Sequence, residues 1–134
     1  MPTTRTRVIV YVLRKGRELL VLEGPGGVGV PGGAVEPGET LETAGVREVA
    51  EETGLAVAIV RKLGVAHEPG SFEPDFTHES HYFEATALAD PGDAWDHVVT
   101  GSGRENGTRV RCRFVPFDPD LVLVGGRGRY LSSL

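Results

Sequence analysis

The sequence contains very little cysteine and no long apolar run. Cys112 is the single cysteine among 134 residues, so no disulfide can form within the chain. That usage fits a reducing compartment, and we expect a cytoplasmic protein. No segment approaches the roughly 18 apolar residues of a membrane-spanning helix, and the N-terminus lacks the pattern of a signal peptide. We therefore expect no membrane association.

An excess of positive charge is also absent. The net charge is −5 at pH 7, which argues against broad electrostatic binding to nucleic acid. The histidines are scattered and form no Cys/His cluster of the kind that binds zinc. The composition is ordinary for a globular protein. We expect one domain over residues 1–134, for which a homodimer is a possible assembly.

Residues 41–53 predict an amphipathic helix, with Thr40 as its N-cap and Gly54 just beyond its C-terminus. At about 100° per residue, one side of this helix can pack on a core. That side contains Val46, Val49, Ala50 and Thr53. Gly45, in the interior, costs about 1 kcal/mol relative to Ala. It indicates either a tight packing contact or simple tolerance.

Another side of the same helix is acidic. Glu48, Glu51 and Glu52 fall within an arc of about 100°. Like charges three or four residues apart destabilise a helix by a few tenths of a kcal/mol per pair, and the only cation is Arg47. A hard divalent cation with oxygen ligands would relieve this repulsion. From the charge pattern alone, a solvated acidic face is the simpler interpretation.

The spacing of the whole stretch is more specific than its charge. Gly33 is followed by five residues, Glu39, seven residues, Arg47-Glu48, an apolar residue, any residue, Glu51-Glu52, any residue, Gly54 and apolar Leu55. This spacing matches the Nudix box at every defined position, so the chain resembles the Nudix hydrolases. The resemblance implies an α+β fold, a Nudix-type α/β/α sandwich built on a mixed sheet. It also implies Mg²⁺- or Mn²⁺-dependent hydrolysis of nucleoside diphosphates linked to another group.

The resemblance also implies roles for the helix residues. Glu48, Glu51 and Glu52 would form the metal-binding and base-forming set. Glu51 and Glu52 would be ligands, and Glu48 would be a ligand or would orient the water. Arg47 would hold the carboxylates in place by charge-assisted hydrogen bonds. Glu39 would be mainly structural, near the positive end of the helix dipole.

Two predictions concern residues outside the helix. In the Pro-Gly-Gly segment, residues 31–33, the two adjacent glycines Gly32 and Gly33 permit close approach of the backbone to a ligand or metal. The resemblance further implies that the Gly32 carbonyl ligates the metal. Relatives often take a further acid or base from a distal loop. Glu105 is our candidate for that role, and Glu79 and Glu84 are its rivals.

The remaining chain predicts strands joined by loops. The strands are predicted over residues 5–13, 18–22, 56–66, 78–88 and 108–117, and the loops over 23–29, 67–77 and 89–107. Relatives usually end with a helix, but three glycines leave the tail, 118–134, ambiguous. On the last strand Arg109, Arg111 and Arg113 share one face, which is either solvated or in contact with substrate phosphate.

The substrate is less well specified. Markers of the NADH, ADP-ribose, diadenosine polyphosphate and coenzyme A subfamilies are missing around the box, so the default is a nucleoside triphosphate or a similar derivative. Four aromatic residues could stack a base, although such residues are more often core. They are Phe72, Phe76, Tyr82 and Trp95. The alternative function is a Nudix-fold binding or sensor module without turnover.

Overall fold

The computed structural model describes residues 3–15, 17–69, 76–101 and 106–134. Its strands are β1 Thr3–Arg14, β2 Glu18–Gly24, β3 Gly27–Gly29, β4 Gly32–Ala34, β5 Val57–Pro69, β6 Phe76–Ala87, β7 Ala94–Val98 and β8 Arg109–Pro116. In the described part of the chain the one α-helix is α1, Leu41–Thr53, and two 3-10 turns lie near the C-terminus. An α+β fold with a large mixed sheet is thereby confirmed.

The sheet has the strand order β5-β6-β1-β2-β8-β7, with β3 beside β2 and β4 beside β1. Strands β1 and β6 are parallel, and the other paired strands are antiparallel. Next to their turn β1 and β2 pair through Leu13 with Leu19 and Arg14 with Glu18. Further along, β1 pairs with β4 while β2 pairs with β3 and β8. The Pro31–Gly33 segment therefore enters the sheet where β1 and β2 take different partners.

Strand β1 is buried on both faces of the sheet. Val8, Ile9, Val10 and Val12 are fully inaccessible to solvent, and each such side chain contributes about 1.5–3 kcal/mol through burial. Val10 and Val12 pack on the side of α1, while Ile9 packs on the side of the C-terminal tail. The helix and the tail thus cover opposite faces of the sheet. No helix in the described residues has the length and apolar character to cross a membrane.

The ends of α1 follow the sequence. The Thr40 hydroxyl accepts a hydrogen bond from the Thr43 backbone N–H at 3.1 Å, as expected of an N-cap. Gly54 adopts a left-handed conformation with φ of 79° and donates its N–H to the Ala50 carbonyl oxygen at 2.9 Å. Both predicted ends are therefore confirmed.

The packing face of α1 differs from the predicted one. The buried residues are Ala44, Gly45, Val49 and Thr53. Val46 is 36% exposed, and Ala50 is exposed as well, so their predicted burial is wrong. The reason is Gly45, where an added Cβ would lie 3.3 Å from Cγ2 of Val10. This close approach turns the helix so that Ala44 and Gly45, rather than Val46, meet the sheet.

The predicted strands are all present, but three predicted loops contain strand residues. The predicted loop 23–29 includes the end of β2 and all of β3, loop 67–77 includes the ends of β5 and β6, and loop 89–107 includes β7. Strands β5 and β7 are edge strands, where Pro and polar residues are tolerated, so their periodic signal is weak. Strand β5 also changes register against β6 between Lys62 and Gly64.

The C-terminal tail contains no α-helix in the described residues. Its 3-10 turns are Val124–Gly126 and Leu131–Ser133. Gly125 and Gly126 both have φ of 69°, a left-handed conformation that other residues adopt at a cost. These two glycines are among those that made the tail ambiguous in the sequence, and here they form a turn rather than part of an α-helix. That turn brings residues 127–130 back over the sheet.

Candidate functional site

An acidic cavity of about 310 Å³ lies between α1, the Pro-Gly-Gly segment and the loop after β7. It is lined by Gly32, Gly33, Ala34, Glu36, Arg47, Glu48, Glu51, Glu52, Val99, Thr100, Asn106 and Arg127. The structure thus brings together around one cavity every predicted site residue in the helix and the Pro-Gly-Gly segment.

Arg47 links the acidic residues to one another. Its Nε and NH2 groups donate to the two Glu39 carboxylate oxygens at 2.7 and 2.9 Å. NH1 donates to Oε1 of Glu48 at 2.9 Å and to Oε1 of Glu51 at 3.0 Å. NH2 also donates to the Ala34 carbonyl oxygen at 2.9 Å. One guanidinium therefore holds three carboxylates and the loop in front of the helix.

These contacts shift the titration of both partners in the expected directions. The hydrogen bonds with Glu39, joined by those with Glu48, raise the pKa of Arg47 above its usual range even though burial opposes this. The Arg47 guanidinium in turn lowers the pKa of Glu39. Both groups stay charged across the physiological range. Glu39 bonds Arg47 and the Glu36 backbone N–H, which is consistent with a structural role.

The glycines before the helix give the carboxylates room. The Gly32 N–H donates to the two Glu52 carboxylate oxygens at 3.2 and 3.3 Å. A Cβ atom on Gly33 would lie 2.5 Å from Cδ of Glu48, closer than real Cβ contacts. Glycine at position 33 is therefore required for Glu48 to reach its observed position. The Pro-Gly-Gly segment positions Glu48 and Glu52 through backbone approach rather than through side chains.

The donor set matches a hard divalent cation in chemical type. Carboxylate oxygens and a backbone carbonyl are the ligands that Mg²⁺ and Mn²⁺ prefer. Across the described ranges no group of three or more His, Cys, Asp or Glu side chains is arranged as a ligand set. Glu48 and Glu51 are engaged by Arg47, and Glu52 by the Gly32 N–H. The residues therefore fit a divalent cation in two respects: their donor atoms are oxygens, and they line one cavity. Their side chains are held by the contacts with Arg47 and the Gly32 N–H.

Three residues hold the end of the acidic helix in a role that was not predicted from the sequence. The last turn of α1 contains no basic residue, so its free carbonyls need other donors. Trp95 Nε1 donates to the Thr53 carbonyl oxygen at 2.8 Å. His97 Nε2 lies 2.9 Å from the Glu51 carbonyl oxygen, and the Thr100 N–H donates to the same oxygen at 3.0 Å. Because a carbonyl only accepts, Nε2 of His97 carries the proton.

The absence of a C-terminal cation in the helix was the available signal for these donors. It shows that something must bind the last carbonyls, but not which residues do so. The contacts come from β7 and the residues that follow it, within a region predicted as a loop. They fix the position of Glu51 relative to the cavity.

Two of the three candidates for the distal acid, Glu79 and Glu84, belong to the described residues. Glu105 lies outside the described residues, while Thr100 and Asn106 on either side of that segment line the acidic cavity. Glu79 lies 2.7 Å from His81 Nε2, and Glu84 accepts a hydrogen bond from Arg61 at 2.8 Å. Neither of these two rivals lines the acidic cavity.

A second cavity, of about 580 Å³, adjoins the first. The two cavities share Gly32, Glu52, Val99 and Arg127. The apolar walls of the larger one are Leu22, Val30, Val99, Val110 and Val124, and glycines of the β2–β3 hairpin line its rim. Its size lies in the range of small-molecule sites, which are mostly apolar with a few polar groups. This cavity is not predictable from the sequence, because its walls are formed by residues far apart in the chain, from β1 to the C-terminal tail.

Polar residues form one end of the larger cavity. Glu68 accepts hydrogen bonds from Arg7 NH2 at 3.3 Å and from the Tyr82 hydroxyl at 3.2 Å. Burial tends to raise the pKa of Glu68, but hydrogen bonds with Ser80 and Arg7 outweigh it, so the pKa is lowered. Beside it, Nδ1 of His78 is buried without a hydrogen-bond partner. This end can therefore recognise a polar group.

The arginines of β8 do not line either cavity. Arg111 pairs with Asp96 at 3.2 Å, and Arg113 pairs with Glu23. Their contacts with acids on neighbouring strands favour the solvated-face interpretation. The aromatic residues are also elsewhere in the described chain: Phe76, Tyr82 and Trp95 are absent from the walls of both cavities, and Phe72 lies outside the described residues.

Comparison with known proteins agrees with this fold. The NUDIX domain family matches residues 3–118, which is most of the chain. The chain therefore belongs to the NUDIX family, and the predicted resemblance is confirmed. Members of this family generally use divalent metal ions.

Two curated relatives illustrate the range of similar proteins. A Bacillus subtilis (strain 168) protein, named provisionally as an 8-oxo-dGTP diphosphatase, is 46% identical over 54 residues, covering 40% of this chain and 33% of that protein. An ADP-ribose pyrophosphatase of Methanocaldococcus jannaschii is 55% identical over 40 residues, covering 30% of this chain and 24% of that protein. The chain thus spans a third or less of the length of these relatives.

A solved structure extends the likeness to the whole fold. The MutT protein from Methanosarcina mazei Go1 superposes with a TM-score of 0.70, covering 98% of this chain and 93% of that one. Its sequence identity is 19%, so this comparison concerns the fold.

Proposed function

We propose that this protein is a metal-dependent pyrophosphohydrolase that cleaves the diphosphate linkage of a nucleoside diphosphate joined to another group. The substrate would be a nucleoside triphosphate or a similar nucleotide derivative. One observation carries the proposal: an acidic cavity with the complete Nudix set adjoins a larger apolar cavity through four shared residues. The first suits a diphosphate and its cation, and the second suits a nucleoside.

The residues of the acidic cavity would have three roles: binding the metal, orienting the water and positioning the carboxylates. Glu51 and Glu52, with the Gly32 carbonyl, would hold Mg²⁺ or Mn²⁺, and Glu48 would be a further ligand or would orient the attacking water. When bound, the cation would supply charge neutralisation on the phosphoryl oxygens. Arg47 would keep the carboxylates in position without touching the substrate.

The reaction itself is a displacement by water. The water oxygen forms a bond to one phosphorus while the bridging P–O bond breaks, and a nearby carboxylate accepts the proton from the water. Glu105 is our proposed candidate for an additional acid or base, because described residues on both sides of it line the acidic cavity. The Gly32 and Gly33 backbone would lie alongside the diphosphate.

A substrate panel tests this function. The purified protein is incubated with Mg²⁺ or Mn²⁺ and with 8-oxo-dGTP or ADP-ribose, the compounds named for the two curated relatives, and with dGTP as the unoxidised counterpart. Products are followed by phosphorus NMR. We expect cleavage within the diphosphate linkage of at least one nucleotide, lost when EDTA is added.

The alternative, a nucleotide-binding or sensor module without turnover, predicts a different result. Calorimetry would then show tight binding, and the unchanged nucleotide would be recovered after long incubation. An intact acidic set disfavours this alternative, since a protein that only binds does not need every catalytic position. Folded protein that turns over none of the panel would contradict the hydrolase proposal.

A further inference from the structure

One arginine in the described lining belongs to both cavities. Arg127 lies at their junction, together with Gly32, Glu52 and Val99. Its NH1 group donates to the Val30 carbonyl oxygen at 2.8 Å. A Cβ atom placed on Gly32 would lie 3.2 Å from the same nitrogen. The guanidinium is therefore held against the Pro-Gly-Gly segment, where the apolar cavity adjoins the acidic one.

The backbone of Arg127 is fixed by a buried tyrosine. The hydroxyl of Tyr11, a fully buried residue, donates to the Arg127 carbonyl oxygen. The same hydroxyl accepts a hydrogen bond from the Tyr130 N–H at 3.2 Å. The left-handed Gly125 and Gly126 turn the chain just before this point. The tail therefore delivers Arg127 to a defined place, which lowers the entropic cost of using its long side chain in binding.

The charge around the junction is mostly negative, so a cationic side chain there would favour the binding of a phosphate group. The acidic cavity is lined by four glutamates, Glu36, Glu48, Glu51 and Glu52. A diphosphate would be repelled by them wherever a cation does not intervene. Arg47 is engaged with Glu39, Glu48 and Glu51. A second guanidinium facing the phosphoryl oxygens would offset this repulsion, and its planar fork matches phosphate geometry.

We propose that Arg127 is a substrate-binding residue that contacts the phosphoryl oxygens of a diphosphate lying across the junction of the two cavities. The inference rests on the proposed function, since it takes the larger cavity as the nucleoside site. A structural role, in which the contact with Val30 ties the tail to the Pro-Gly-Gly segment, is the competing explanation. The two differ in one respect: a phosphate contact affects only phosphorylated ligands, whereas a structural role affects every ligand.

The experiment measures affinity rather than turnover. Binding of adenosine, AMP and α,β-methylene-ADP, and of the guanine series, is measured by calorimetry with Mg²⁺ for wild type, Arg127→Gln and Arg127→Lys. The methylene bridge prevents cleavage. Arg61→Gln is the matched control, because Arg61 also ties the tail, through the Ser133 carbonyl oxygen at 2.7 Å, and lines neither cavity.

In the series that binds, Arg127→Gln should weaken the diphosphate analogue by about tenfold or more, consistent with loss of a charge-assisted hydrogen bond. It should change adenosine or guanosine binding by less than about twofold, with Arg127→Lys intermediate and Arg61→Gln at wild-type affinity. Equal losses for nucleoside and diphosphate, no loss at all, or a wild type that binds no analogue would overturn the inference. A phosphate-selective loss in a protein that cleaves nothing would retain Arg127 and refute only the hydrolase proposal.

Discussion

The two adjoining cavities are built in opposite ways. The helix residues and glycines of the acidic cavity lie between Gly32 and Glu52, and one arginine links the carboxylates. The larger cavity draws on residues from Arg7 to Arg129, on strands, hairpin and tail. The proposed chemistry is thus encoded locally, and the proposed recognition depends on the whole fold.

This difference has consequences for mutation. A substitution of an acidic helix residue changes charge and ligand geometry but removes little core packing, because the glutamates line the acidic cavity and belong to none of the core clusters. The larger cavity shares its apolar walls with the core clusters, since Leu22, Val30 and Val110 pack on them. Substitutions in the acidic cavity should therefore mainly change activity, and substitutions in the larger cavity should mainly change substrate selectivity.

The sharpest test of the acidic cavity is Glu52→Gln. Loss of one proposed metal ligand should lower kcat by about 10²–10⁴-fold. Stability should stay level or rise, because the amide oxygen can still accept from the Gly32 N–H while like-charge repulsion falls. Steady-state kinetics and thermal unfolding measure the two effects. Glu42→Gln, on the exposed side of the same helix, is the control and should keep activity. Wild-type kcat in Glu52→Gln would remove Glu52 from the site.

Arg47→Gln should affect both stability and activity. It removes hydrogen bonds to Glu39, Glu48 and Glu51, so we expect a loss of about 1–3 kcal/mol in the free energy of unfolding. The lower end of this range applies if solvent screens the partly exposed ion pairs. Mispositioned carboxylates should lower kcat by about 10²-fold.

Added Mg²⁺ gives that variant a further readout. A cation between the carboxylates would offset the repulsion that Arg47 normally balances, so Mg²⁺ should raise the melting temperature more in Arg47→Gln than in wild type. Arg61→Gln, which loses an exposed ion pair with Glu84, should show no such difference. An equal Mg²⁺ effect in all three proteins would contradict the proposed cation site.

The local encoding explains how much of the site could be predicted. Glu48, Glu51 and Glu52 share one helix side because of their spacing alone, and Arg47 reaches two of them within a turn. The helix caps follow from Thr40 and Gly54 in the same manner. Such features depend on the 3.6-residue period and need no knowledge of the tertiary fold.

The remaining features depend on tertiary contacts, which the periodicity of the sequence does not reveal. The helix rotation that exposes Val46 follows from close packing of Gly45 on the sheet. β7 is a half-exposed edge strand, so its sequence gives a weak signal. The larger cavity requires strands far apart in sequence, and its pairings are set by long-range register. The single-domain and homodimer expectations stay predictions.

The contacts between β7 and the helix end connect the two kinds of region. His97→Ala removes a donor to the Glu51 carbonyl oxygen, which should cost about 0.5–1.5 kcal/mol of stability. A shift of Glu51 should lower kcat about fivefold with little change in KM, since it alters positioning. Kinetics and thermal unfolding measure these effects. His67→Ala, at an exposed histidine that lines neither cavity, is the control. An unchanged kcat in His97→Ala would show that the His97 contact does not position Glu51 for the reaction.

The mildest test fills the larger cavity while leaving the acidic one intact. Gly26 lines only the larger cavity, and a Cβ atom there would meet nothing within 4 Å. Its φ lies outside the left-handed region, so Gly26→Phe should change stability by less than about 0.5 kcal/mol. An aromatic side chain that competes with the nucleoside should raise KM by about three- to tenfold while kcat changes less than twofold. Val122→Phe, at a tail residue that is 87% exposed, adds the same side chain outside both cavities and should leave KM unchanged. If Gly26→Phe instead lowered kcat and left KM alone, the nucleoside would not lie in the larger cavity, and the proposed division between the two cavities would be wrong.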